Sequence, residues 1–196
     1  MKHRKAECSR KTKETSVNLT LNLDGKGDYE VDTGVGFMDH MLELFAKHGL
    51  FDLTVKAEGD THVDDHHTVE DLGICLGKVV ADALGDKTGI KRFGEATVPL
   101  DEARSRVIVD LNGRPFLSFE GEIGAEKSGQ FDVTLVEDFM RAFSTNALAT
   151  VHVHIEAGSN PHHVAETVFK ALAIALDRAS SADERRPGIP STKGTI

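Results

Sequence analysis

The sequence predicts an α+β fold made of two tandem copies of one sheet-plus-helices unit. Three observations point there. Strand-like alternation and helix-like spacing follow one another in the same order in each half of the 196-residue chain. The pattern His-His-x-x-Glu occurs twice, 96 residues apart. The apolar residues behind the two occurrences match in register, Leu76 with Leu172, Val79 with Ala175 and Val80 with Leu176.

The elements justify themselves in turn. Residues 1–11 form a basic N-terminal arm, expected to be solvated, with six Lys and Arg against Glu7 among the first 13 residues. The first repeat spans 12–94. In it Val17, Leu19, Leu21 and Leu23 alternate with polar residues, as in a half-buried strand. Asp24-Gly25-Lys26-Gly27 makes a turn. Phe37, Met38, Met41, Leu42 and Phe45 share a helical face, and Phe51, Leu53, Val55 and Ala57 alternate again. A second helix carries Val69, Leu72, Leu76, Val79 and Val80 and stops at Gly85. The second repeat spans 95–182, with strands over 96–100 and 106–111. Asn112-Gly113 reads as a hairpin turn into a strand over 115–121. Helices over 135–148 and 162–179 flank a strand of Val151, Val153 and Ile155. Residues 183–196, with two prolines and two glycines, read as a tail.

Composition narrows the function classes. A net charge of −9 argues against a general nucleic-acid binder. No apolar run reaches the roughly 20 residues of a membrane helix, and no N-terminal stretch has a signal-peptide core. Cys8 and Cys75 are too few for a disulfide framework or a thiolate zinc site, so a cytoplasmic location is expected. Histidine stands out: ten residues, beside one Tyr and no Trp.

The repeated packets carry the chemistry. His66-His67-Thr68-Val69-Glu70 opens one helix, with Asp65 as its N-cap, and Pro161 leads His162-His163-Val164-Ala165-Glu166 into the other. On a helix, Glu70 lies beneath both His66 and His67, while adjacent imidazoles leave about 100° apart. They therefore do not easily chelate one ion, and each could serve a different one, with Glu70 assisting one of them. Aligning Phe45 with Phe143 sets His40 against Asp138, adding a further pair of ligand-capable residues. Imidazole and carboxylate donors without thiolate fit Mn, Fe, Zn or Ni, and three His with one carboxylate leave an octahedral ion open for catalysis. His48, His62, His152, His154 and His3 are expected to be solvated or supporting.

Gly36-Phe37-Met38-Asp39-His40-Met41, Asp64-Asp65-His66-His67-Thr68-Val69-Glu70, Asn112-Gly113-Arg114-Pro115, Asn160-Pro161-His162-His163-Val164-Ala165-Glu166 and Pro190-Ser191-Thr192-Lys193-Gly194 together resemble the imidazoleglycerol-phosphate dehydratase family. The similarity runs from about Thr12 to the end. It implies the duplicated ribosomal protein S5 domain 2-like fold and a hydro-lyase of histidine biosynthesis. That enzyme dehydrates D-erythro-imidazole glycerol phosphate to imidazole acetol phosphate. The resemblance implies two Mn2+ per active site that bind the substrate ring as imidazolate, and trimers that assemble into a 24-mer with active sites at subunit interfaces. The implied metal ligands are His40, His66, His67, Glu70, His162, His163 and Glu166. Asp138 stands where many relatives have His or Glu. Arg92, Arg114, Ser191, Thr192 and Lys193 match substrate positions, largely for the phosphate, and Glu14 and Lys170 match further substrate contacts. Glu14, Glu166 and His40 are the implied catalytic residues, with Glu14 and Glu166 both open as the proton shuttle. No membrane or nucleic-acid partner is expected. Two rival classes share the metal pattern, a dinuclear metallohydrolase and a metal-storage shell.

Overall fold

The structure is a computed structural model that describes residues 4–124 and 126–196. Its first half runs β1 (Lys5–Lys11), β2 (Thr15–Asn22), β3 (Tyr29–Asp32), α1 (Gly36–Gly49), β4 (Asp52–Gly59) and α2 (His66–Leu84). The second half runs β5 (Phe93–Leu100), β6 (Ala103–Asp110), β7 (Phe116–Glu120), the small strands β8 (Lys127–Ser128) and β9 (Phe131–Asp132), α3 (Leu135–Ala147), β10 (Thr150–Ala157) and α4 (Pro161–Ser180).

The two main sheets have the same topology. The first is ordered β1-β2-β4-β3 and the second β5-β6-β10-β7. In each, the first three strands in that order pair antiparallel, and the last edge strand pairs parallel. The duplication read from the histidine packets is therefore a duplication of the whole unit. Val17, Leu19 and Leu21 point inward from β2, and Val107 and Val109 point inward from β6. The helices bury their apolar faces over these strands and against one another, α1 on α4 and α2 on α3.

The α2–α3 crossing is tight because α2 carries glycine at two positions one turn apart. A Cβ on Gly73 would lie 2.7 Å from the Phe139 carbonyl oxygen, and one on Gly77 would lie 2.6 Å from that of Phe143. Only the missing side chain lets the two backbones approach so closely.

Three expectations need correction. Residues 5–11 of the basic arm are β1, paired along its length with β2; residues 1–3, with His3, lie outside the described residues. The inward residues of β1 are Ala6, Cys8 and Arg10, two small apolar residues and a cation, which make only a weak apolar signature. Arg10 is held by Asp71 at 2.8 Å, and basic residues suit an exposed sheet edge. Second, Asn112-Gly113 does not make a β-hairpin. The chain passes across the end of β10, and β7 pairs with β10 in parallel. The Asn112 side chain donates to Thr150 Oγ1 (2.8 Å) and accepts from the Arg114 amide (2.8 Å), which fixes this crossing. Third, Asp65 makes no side-chain cap on α2; Asp64 Oδ1 accepts from the His66 amide at 2.9 Å instead.

The tail is tied down. Asp183 N donates to Gly89 O (2.8 Å), Gly89 N to Gly188 O (3.0 Å), and Arg92 Nη1 to Pro190 O (2.9 Å). Among the described residues both cysteines are free thiols, and no helix is long and apolar enough to cross a membrane.

Gly77→Ala should cost about 1–3 kcal/mol, because the new methyl must displace the α3 backbone. Urea unfolding of the variant against the parent chain measures this, with Gly36→Ala, which has open space around it and no positive φ, as the steric control.

Candidate active site

The helix packing brings the packets to the first helix of the opposite copy. His40 on α1 meets His162 and Glu166 on α4. Glu166 Oε1 lies 2.9 Å from His162 Nε2, the i to i+4 contact, and 3.1 Å from His40 Nε2. Lys170, one turn further on, donates to Glu166 Oε2. One ligand atom from each of His40, His162 and Glu166 falls within 4.8 Å of the others. The α4 start is set by Pro161 and by Asn160, whose side chain accepts from the His162 amide at 3.0 Å. Phe37 stacks on Phe131 at 4.5 Å and makes a T-shaped contact with the His162 ring at 5.4 Å. The β8–β9 ribbon that supplies Phe131 has no clear signature in the sequence.

The other crossing gives the pseudo-symmetric group. His66 Nδ1 lies 3.7 Å from Asp138 Oδ2. Asp138 thus occupies, toward α2, the place His40 occupies toward α4. Glu70 is exposed.

Adjacent imidazoles diverge as the helix geometry requires. The His66 and His67 rings are 6.1 Å apart at 83°, and those of His162 and His163 are 6.4 Å apart at 86°. His67 and His163 consequently face other partners. Asp60 holds His67 Nδ1 at 3.1 and 3.2 Å, and Glu102 holds His163 Nδ1 at 2.8 Å. Neither Asp60 nor Glu102 stands out in the sequence, since a lone carboxylate in a turn resembles any solvated one.

These contacts tune ionisation. The hydrogen bond to Asp60, with the charges of Glu14 and Asp64 adding, raises the His67 pKa above its ordinary 6.5; Glu102 does the same for His163. Glu102 itself drops to about 2, through His163 and then the backbone amide of Asn160. Burial opposes the Glu166 carboxylate, but Lys170, His40 and His162 outweigh it and bring that pKa to about 2.

A second grouping forms at the far end of α4. Arg92, Arg114, Ser191, Thr192 and Lys193 line a cavity of about 850 Å³, together with Asn112, Gly113 and Arg186. Arg92 stands in this lining braced by its neighbours. Its guanidinium is fixed by Asp110 (2.6 and 3.1 Å) and by Pro190 O, so it also shapes the wall. Arg186, 3.2 Å from Asp183, was not singled out in the sequence, although the Arg185-Arg186 pair in a tail was a legible signal. Glu14 sits apart from this cavity, in the β1–β2 turn, where its carbonyl accepts from the Asp60 amide at 3.1 Å.

The first copy has a counterpart of this cavity. Arg4 bonds Asp24 and Ser180 O as Arg92 bonds Asp110 and Pro190 O, and Leu23 N donates to Arg4 O as Leu111 N donates to Arg92 O. The space beside Arg4 is lined by Asp24, Asp82 and Asp86.

The sequence profile of the imidazoleglycerol-phosphate dehydratase family matches residues 33–176. The chain belongs to the imidazoleglycerol-phosphate dehydratase family. Members of this family are hydro-lyases of histidine biosynthesis. The imidazoleglycerol-phosphate dehydratase of Thermoanaerobacter pseudethanolicus is 57% identical over 193 residues, which cover 98% of this chain and all of the relative. That of Geobacillus kaustophilus is 54% identical over 193 residues, covering 98% and 99%. Among solved structures, imidazoleglycerol-phosphate dehydratase from Staphylococcus aureus superposes with a TM-score of 0.83 at 39% identity, covering 91% of this chain and 99% of that one. The Pyrococcus furiosus structure gives 0.84 at 32% identity, covering 96% and 100%. The α+β duplication is thus the family's fold.

Acid should reveal the Glu166 cluster. Its folded pKa of about 2 lies below the ordinary 4.5. The stability it contributes is complete above pH 4.5 and is lost as pH falls toward 2. Unfolding free energy followed between those values should decline by on the order of 3 kcal/mol from this group. In Glu166→Gln that share of the decline should be missing.

Proposed function

We propose that this chain dehydrates imidazole glycerol phosphate to imidazole acetol phosphate, using two Mn2+ ions, in sites formed between copies of the chain. The observation that carries the reading is the pairing of metal-type donors across helices with a separate cationic cavity. His40, His162 and Glu166 converge, and their imidazole and carboxylate donors suit Mn2+. By the repeat, Asp138 and His66 form the equivalent corner, with Glu70, His67 and His163 as further ligands. Held by these residues, the ions would supply Lewis-acid charge that eases deprotonation of a substrate whose carbon–hydrogen bond is otherwise weakly acidic.

The chain's own residues divide the remaining work. Arg114, Lys193, Ser191 and Thr192 bring cations and hydroxyls to the phosphate. Glu166, with both oxygens engaged and its pKa at about 2, is a poor proton carrier near neutral pH and suits a ligand. Glu14, exposed in its turn beside the His67 loop, is the better proton shuttle. Lys170 then acts by fixing the Glu166 carboxylate.

The distance between the two groupings supports assembly. His162 opens α4, while the Arg92 amide bonds Ala179 O near its other end. Seventeen residues of helix separate these points, a rise of about 25 Å. An imidazole joined to a phosphate by three carbons is far shorter. One chain therefore offers the metal end to one substrate and the phosphate end to another, and a second copy completes each site.

Incubation with imidazole glycerol phosphate and Mn2+ should yield the acetol product, and chelation should abolish it. Phosphoester hydrolysis without ketone formation would favour the metallohydrolase instead. Arg114→Ala and His162→Ala should each be inactive alone. Coexpressed in mixed assemblies they should recover turnover, because some sites take an intact half from each. Glu14→Gln should lower kcat by about 10²–10⁴-fold with Mn2+ binding unchanged.

A further inference from the structure

We propose that Asp60 and Glu102 are positioning residues that hold the second histidine of each packet by Nδ1, so that Nε2 faces outward as the ligand atom. The inference rests on the metal reading above and concerns how the chain prepares for the ion. An imidazole has two nitrogens, and a carboxylate at one makes it the N–H donor and leaves the lone pair on the other. Asp60 does this to His67 with both oxygens, at 3.1 and 3.2 Å. Glu102 does it to His163 with Oε2, at 2.8 Å.

Glu102 is also anchored. Its Oε1 accepts from the amides of Ser159 (3.2 Å) and Asn160 (2.8 Å), the residues that lead into α4. One carboxylate therefore fixes the loop before the helix and the ring on its first turn. Both contacts reach the same nitrogen of the same packet position, but they come from different places in the repeat. Glu102 immediately precedes β6, and the residue immediately preceding β2 is Glu14. Asp60 instead follows β4. The first copy orients its histidine from another loop, so its own turn glutamate, Glu14, is not the residue that makes this contact. The contact recurs while the residue making it changes, as expected when the orientation itself is required.

The test is Mn2+ affinity, measured by calorimetry on the full-length protein as it assembles. Asp60→Ala and Glu102→Ala should each weaken binding about 10–100-fold. Asp60→Asn keeps an oxygen that accepts from Nδ1–H and should return affinity to within a few-fold of the parent. Glu120→Gln, which alters the carboxylate 3.2 Å from His154 outside the packets, should leave affinity unchanged. Parent-like affinity in Asp60→Ala overturns the proposal. So does an Asp60→Asn variant as weak as Asp60→Ala, since charge and not ring orientation would then be at work. If the parent protein shows no saturable Mn2+ binding, the metal reading itself fails, and this proposal with it.

Discussion

The close crossing of α2 over α3 is the constraint on which the rest depends. Gly73 and Gly77 let the two helix backbones meet almost directly. That contact joins the first copy's packet helix to the second copy's leading helix. The reciprocal contact, α4 on α1, follows because both copies have the same sheet order. Each packet helix also packs on its own sheet, so the exchange supplies its second face. With it, His40 reaches His162 and Glu166, and Asp138 reaches His66. The duplication thus creates paired chemistry from a unit that holds half of each pair.

Charge then settles what each group can do. Glu166 gathers two imidazoles and one ammonium group, which keeps its carboxylate ionised despite burial. The outward histidines are instead governed by single carboxylates in turns. Metal-type donors sit at one end of α4 and cations at the other. The chain carries a negative net charge, so the cationic cavity is a local feature maintained against the overall balance.

Much of this was legible in the sequence. Period-2 and period-3.6 patterns marked the helices and the central strands, because those elements bury one face against a large core. β1 and β3 were hard to see for the opposite reason: they are edge strands, and Ala6, Cys8, Arg10 and Val31 make only small inward faces. The parallel placement of β7 was hidden because Asn-Gly signals a reversal without saying which strand the returning chain will join. Residues with recognisable spacing, such as His66, His67, His162, His163 and Glu166, could be found on one helix turn. Their supports could not. Asp60 lies seven residues from His67 and Glu102 lies 61 from His163, so only the folded chain shows what they touch.

The pair of arginine-anchored spaces has its own consequence. Arg4 and Arg92 build equivalent corners beside the ends of the two packet helices, so the architecture supplies two pockets. Their linings have opposite signs: Arg114, Arg186 and Lys193 around one, Asp24, Asp82 and Asp86 around the other. A phosphate dianion meets cations in the first and carboxylates in the second. Equivalent geometry in the two copies thus carries opposite charge, through the identity of a few side chains.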